Sequence, residues 1–320
     1  MSKVAMAVAA HPDDIEFMMS GTLMLLGEAG YGLHYMNIGT GNCGTATLDR
    51  DEIVSIRAEE SRRACELIGA RWHPPLVDDI EILYETPLIR KLCAVVREVK
   101  PEILVLPSPQ DYMEDHMTSS RLMVTAAFCR NMKNYMTDPP ATPIDTDMAL
   151  YHALPWGLGD QLRNPVTPDF YVDISTVMPR KREMLACHES QKEWLDDSQG
   201  IDSYLTMMED MCAEVGRMSG RFAFAEGWRR HSHLGFGPEP FDPLRDALAG
   251  RSSGIWNPGW GSGGLRPRLS PAGWRPARHV GAGSETRGTR SWIPNPGPSG
   301  GLCFGISVPP SSTQIPKHQN

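Results

Sequence analysis

Several common signatures are absent from this chain. Its seven cysteines are scattered singly and never form a Cys-x-x-Cys pair, which argues against a zinc knuckle and against a disulfide framework. No apolar run is long enough to span a bilayer, and no basic segment followed by an apolar stretch precedes the first strand-like segment, so a cytoplasmic protein is expected. An excess of positive charge is also missing. The formal net charge is -8, and residues 251–320 hold eight Lys or Arg against one acid, a net +7 that leaves -15 on residues 1–250. So acidic a body speaks against a nucleic-acid partner. The dinucleotide-binding fingerprint is lacking too: the glycines of Gly39-Thr40-Gly41-Asn42-Cys43-Gly44 follow the second strand, at the wrong spacing. That segment reads as a flexible loop at a sheet edge, able to cover a substrate.

What is present is a globular composition. The chain has 320 residues, 41% of them hydrophobic, enough to bury a core. Strand-like segments at Lys3 to Ala10, Gly32 to Ile38 and Pro101 to Pro107 alternate with helix-like ones at Ile15 to Ala29, Arg50 to Ile68 and Thr86 to Val99. Gly30 and Gly69 close the first two helices. Further strands are predicted at Met148 to His152 and Phe170 to Ile174, and helices from about Ser119 to Met132, Pro179 to Cys187 and Ile201 to Val215. A βαβαβα order implies a Rossmann-like, three-layer α/β fold with a mostly parallel sheet. The composition then turns Gly-, Pro-, Ser- and Arg-rich, which predicts a folded domain over 1–248 and a disordered tail over 249–320.

Chemistry concentrates at two turns. The first strand ends in Ala10-His11-Pro12-Asp13-Asp14, where a tight turn stiffened by Pro12 can aim His11 and Asp14 at one cation and leave Asp13 free to move protons. The same residues also suit an ordinary helix start, with Asp13 or Asp14 as the N-cap. The strand ending at Leu106 runs into a similar turn, Asp111-Tyr112-Met113-Glu114-Asp115-His116. If the two strands are neighbours, His116 reaches the same cation. Two histidines and one carboxylate with an open position form a common catalytic zinc site, and such a set also accepts iron or cobalt.

These two turns, together with Arg57-Ala58-Glu59-Glu60 and the later His188-Glu189-Ser190-Gln191, resemble the PIG-L / LmbE-like family of zinc-dependent N-deacetylases over roughly residues 1–195. The resemblance implies that His11, Asp14 and His116 hold one Zn2+ and that Asp13 is the general base. It also implies removal of an acetyl group from an amino sugar or N-acetylglucosamine conjugate. The sequence departs from the family at Met113, where many members carry a histidine that stabilises the oxyanion. A thioether neither donates a proton nor carries charge, and losing one such donor costs about 10²- to 10³-fold in rate. His188 is the expected substitute, with His152 and Tyr112 behind it. Arg57, Tyr112 and Asp111 are expected to bind substrate. Glu60, Asp78 and Asp79 could reach sugar hydroxyls, Asp115 is expected to orient a neighbour, and His231 and His233 could line a cleft. Met113 also keeps open an amidase for non-sugar amides, or a catalytically weak homologue that binds metal and sugar. Oligomeric state is not legible.

Overall fold

The computed structural model describes residues 3–192, 203–249 and 254–258. Alternation along β1 (Val4–Ala9) explains the layering. Ala5, Ala7 and Ala9 face one core, shared with α2 (Ser20–Glu28), α3 (Arg50–Leu67), α6 (Met178–Ala186) and α7 (Ser203–Ser219). Met6, Val8 and Ala10 face the other, shared with α4 (Thr86–Val99) and α5 (Glu114–Phe128). A strand buried on both faces has no room for polar alternation, and small alanines let the helices of one layer approach closely. The eight strands run in the order β3-β2-β1-β4-β5-β7-β6-β8. β2 (Gly32–Asn37), β3 (Arg71–His73), β4 (Ile103–Leu106) and β5 (Ala149–Ala153) continue the parallel sheet begun by β1. β6 (Phe170–Asp173), β7 (Ala225–Arg230) and β8 (Ile255–Trp256) add an antiparallel flank. The Rossmann-like, mostly parallel architecture expected from the sequence is therefore present.

This order places β1 beside β4, with the chain leaving β1 for β2 on one side and reaching β4 on the other. Such a switch point opens a crevice at the carboxyl ends of the two strands, where open α/β sheets bind ligands. Both chemical turns lie there.

Four expectations need correction. The helix expected over Ile15 to Ala29 is two, α1 (Asp14–Met18) and α2, broken at Met19 with φ -138°. The break frees the first N–H groups of α2, and Glu226 accepts from Gly21 and Thr22 at 2.9 and 2.8 Å. A Cβ on Gly21 would lie 2.7 Å from Ile174. Lys181, wholly buried, answers the Glu226 charge at 2.5 Å, so neither ion is left alone in the interior. Helix α5 begins at Glu114, five residues earlier than expected, because Glu114 and Asp115 suit the positive end of a helix. β3 and β7 carried no strand signal: β3 is three residues long, and β7 contains glutamate, glycine and two arginines.

The last correction concerns the boundary at 248. Helix α8 (Pro243–Leu248) ends there, but Ile255 and Trp256 still pair with Val172 and Tyr171, and the Arg221 guanidinium sits 4.5 Å from the Trp256 ring centre. An apolar dipeptide is enough to extend an open sheet edge. The rest of the tail expected to be disordered lies outside the described residues. Among those described, no helix is long and apolar enough to cross a membrane.

Candidate metal centre and catalytic pocket

The His-Pro-Asp-Asp turn folds so that Asp13 occupies the N-cap position of α1 without capping it. Its backbone has φ 107° and its side chain bonds no helix N–H. Instead Asp13 Oδ2 accepts from the Tyr204 hydroxyl at 2.8 Å and from Arg57 Nη2 at 3.3 Å. Asp14 turns the other way, and its Oδ2 accepts from the His11 backbone N–H at 2.7 Å. The two acids are thus separated by local geometry.

Across the crevice, the first turn of α5 contributes Asp115 and His116. His116 Nε2 lies 3.3 Å from Asp14 Oδ1, and His11 Nδ1 lies 3.6 Å from Asp14 Oδ2. Ligand atoms of His11, Asp14 and His116 all fall within 4.8 Å of one another. The remaining ring nitrogens are committed to carboxylates. His11 Nε2 meets Asp115 Oδ2 at 2.9 Å, and His116 Nδ1 meets Asp111 Oδ1 at 3.0 Å. Two imidazoles, each backed by a carboxylate and converging with a third carboxylate, are a donor set that fits a divalent cation.

Proton affinities follow from this crowding. Burial opposes the imidazolium of His11, but Asp115 and Asp14 outweigh it and push its pKa up to about 9. For His116, burial is likewise outweighed by Asp14 and Asp111, and the pKa rises well above the ordinary value. Burial works against an ionised Asp14, yet the two imidazoles hold its pKa well below normal. A cation entering the cluster must therefore displace protons from both rings. Apparent metal affinity should rise with pH until about 9, by up to roughly tenfold per pH unit for each proton displaced, and fall in acid. Chelator competition at several pH values measures this, and a flat profile would contradict the assignment of the two rings as ligands.

A cavity of about 370 Å³ opens over the cluster, lined also by Asp13, Arg57, Phe17, Ile80, Tyr112 and Trp156. Tyr112, 56% exposed, packs edge-on to the His116 ring with 5.7 Å between centres and leans on Trp156 at 5.5 Å. Arg57 is buried beneath the Gly39–Gly44 loop, bonding the carbonyls of Pro12 and Gly41. The glycines admit this guanidinium: a Cβ at Gly41, where φ is +79°, would lie 2.6 Å from Arg57 Cδ. The loop is held rather than flexible. Asp79 accepts from Gly41 and Cys43 N–H groups at 2.8 and 3.1 Å, and Gln191 Nε2 donates to Gly44 O at 2.7 Å.

Several expected roles change. His188, expected to stand in for the oxyanion donor, is wholly buried, faces Glu16 at 3.4 Å and does not line the cavity. It sits between Glu16 and Asp13, just past the end of α6 at Ala186. Asp111, expected to bind substrate, is 2% exposed and holds His116, Met113 N–H and Trp156 N–H. Asp111→Ala should weaken metal binding about 10- to 100-fold, which chelator competition reads directly; unchanged affinity would show the His116 ring to be set by packing alone. His152 bonds Pro107 O and His231 outside this cavity. Glu60 is occupied by Ser190, and Asp78 by Arg50 and Thr40. Tyr204 was not legible as a site residue, since it reads as one apolar position of α7; Glu16 was equally hidden inside α1.

Residues 6–127 match the family described as PIG-L: GlcNAc-PI de-N-acetylase. That match takes in 122 of the 320 residues. Both chemical turns fall inside it, whereas Tyr204 and Gln191 come from beyond. The chain is 26% identical over 234 residues to diacetylchitobiose deacetylase of Thermococcus kodakarensis, covering 71% of this chain and 82% of that protein. It is 24% identical over 198 residues to 4-oxalmesaconate hydratase of Pseudomonas putida, covering 59% and 74%. In fold it is similar to N,N'-diacetylchitobiose deacetylase from Pyrococcus horikoshii, with a TM-score of 0.62, 21% identity and coverage of 76% and 89%.

Proposed function

We propose that the chain is a zinc-dependent N-deacetylase that releases acetate from an N-acetylated amino sugar or N-acetylglucosamine conjugate. The observation that carries this reading is the convergence of His11, Asp14 and His116 with Asp13 beside them but outside the triad. Its support from known proteins is the match of residues 6–127 to the PIG-L family and the likeness to a diacetylchitobiose deacetylase. When bound, the cation polarises the amide carbonyl and activates water for attack.

The chain's own residues supply the proton traffic. Tyr204 and Arg57 fix Asp13 through Oδ2, which leaves Oδ1 to take the proton from the attacking water. Burial raises the Asp13 pKa against the pull of Arg57, bringing it nearer to neutrality, where a base both accepts and returns a proton efficiently. The returned proton goes to the leaving nitrogen as the C–N bond breaks, giving acetate and a free amine. The developing oxyanion needs a donor in place of Met113. Of the candidates His188, His152 and Tyr112, only Tyr112 lines the cavity, and we assign it this role. Tyr112→Phe should lower kcat by about 10²- to 10³-fold with little change in KM; a variant as fast as the parent would leave the oxyanion to the metal alone.

The direct test is acetate release by metal-loaded protein from N-acetylglucosamine conjugates and from non-sugar N-acetyl amides. Turnover of the sugar conjugates supports the reading. Turnover of non-sugar amides alone would replace the substrate class, and no acetate from any of them would sink the deacetylase reading.

A further inference from the structure

A second cavity, of about 520 Å³, opens where α5 crosses the pairing of β5 with β7, and none of its lining residues lines the metal pocket. At its base His152 Nδ1 lies 3.0 Å from the Pro107 carbonyl, which can only accept, and 3.1 Å from Ser120 Oγ, which can also accept, so this nitrogen carries the proton. His152 Nε2 must then accept from His231 Nδ1 at 2.9 Å. His231 Nε2 is left unprotonated, with no hydrogen-bond partner among the described residues. Burial lowers the pKa of both rings, that of His152 to about 4, so the pair is neutral at neutral pH.

The charges in the cavity do not cancel. Arg230 is answered by Asp242 at 3.6 Å. Arg229 hydrogen-bonds only neutral groups, Gln110 Oε1 at 2.6 Å and Ser108 Oγ at 2.8 Å, and its buried Nε bonds none; Asp169 acts on its charge without a hydrogen bond. Arg121 lies over the Tyr84 ring at 5.0 Å and forms no ion pair among the described residues. The one acid of the lining, Asp169, is engaged by the Arg230 backbone N–H at 2.9 Å. A half-buried guanidinium with no carboxylate in hydrogen-bond contact is a costly arrangement unless an anion completes it.

We propose that this cavity is a second ligand site, for a small hydroxylated oxyanion. Arg121 and Arg229 receive its phosphate or carboxylate group, and His231 Nε2 accepts a hydrogen bond from its hydroxyl. The guanidinium fork suits either oxyanion. The site is independent of the deacetylase reading, since it shares no lining residue with the metal pocket.

The test is calorimetric titration of the full-length, metal-loaded protein with glycerol 3-phosphate and, separately, with glycerate. Saturable binding of at least one probe is expected, weakened roughly tenfold or more by Arg121→Gln and lost in Arg121→Gln/Arg229→Gln. The tighter probe identifies the oxyanion. Because Arg229 also braces the 108–110 loop, Arg121→Gln, on an exposed position of α5, keeps the test decisive should the double variant fail to fold. Three results would overturn the proposal: no saturable binding of either probe, affinity unchanged in Arg121→Gln, or binding that survives the arginine changes but disappears in His116→Ala, which would put the ion on the metal.

Discussion

Asp13→Asn is expected to lower turnover by about 10²- to 10⁴-fold, the usual worth of a general acid–base group, while the protein keeps its metal. Asparagine is the informative replacement because the backbone at Asp13 has φ 107°, a region that strains alanine but that Asn tolerates better than most residues. The amide oxygen can still accept from the Tyr204 hydroxyl, which donates to Asp13 Oδ2 at 2.8 Å, so the local fold survives. What disappears is the proton acceptor. His11, Asp14 and His116 are untouched, and their approach to one another does not depend on Asp13. Kinetics and metal content measured on one preparation decide the matter. Loss of metal would make Asp13 a ligand, and retained turnover would remove it from the mechanism.

His116→Ala should have the largest effect. It removes one of two imidazoles from the triad, so metal affinity should fall by more than the roughly 10- to 100-fold typical of losing a supporting contact, and acetate release should vanish at ordinary metal concentrations. It also leaves the 2% exposed carboxylate of Asp111 without its imidazole partner. Burying a charge with fewer partners is unfavourable, so a modest loss of thermal stability in the metal-free protein should accompany the change. Elemental analysis and an acetate assay check the first expectation. A variant with full metal occupancy and normal turnover would remove His116 from the centre.

The sequence was most informative where short-range pattern and buried geometry coincide. An apolar strand closing on His-Pro-Asp-Asp, and another closing on acids and a histidine, locate the crevice because strands β1 and β4 must end at the same sheet edge once they are neighbours. The turn alone does not say which acid points across the crevice; the family resemblance divided Asp13 from Asp14, and the backbone turns Asp14 toward His116. His188 misled because a motif preserves residue type without saying where the side chain is buried; its partner, Glu16, lies 172 positions earlier in the chain. Tyr204 reaches Asp13 across 191 positions, and nothing local to either residue announces the contact. The antiparallel flank was hardest to read. In β7 the alternation is broken by Gly227, whose missing Cβ makes room for Leu154, 2.7 Å from where that atom would stand.

The opposite ring nitrogens that His11 and His116 offer have a mechanical consequence. One histidine follows β1 and the other begins α5, about a hundred residues later, so a cation shared between them acts as a cross-link closing a very long loop at the centre of the sheet. A link of that span removes more freedom from the unfolded chain than one between near neighbours. The same ion that we propose activates the amide would therefore also clamp the two halves of the sheet together at the seam between β1 and β4.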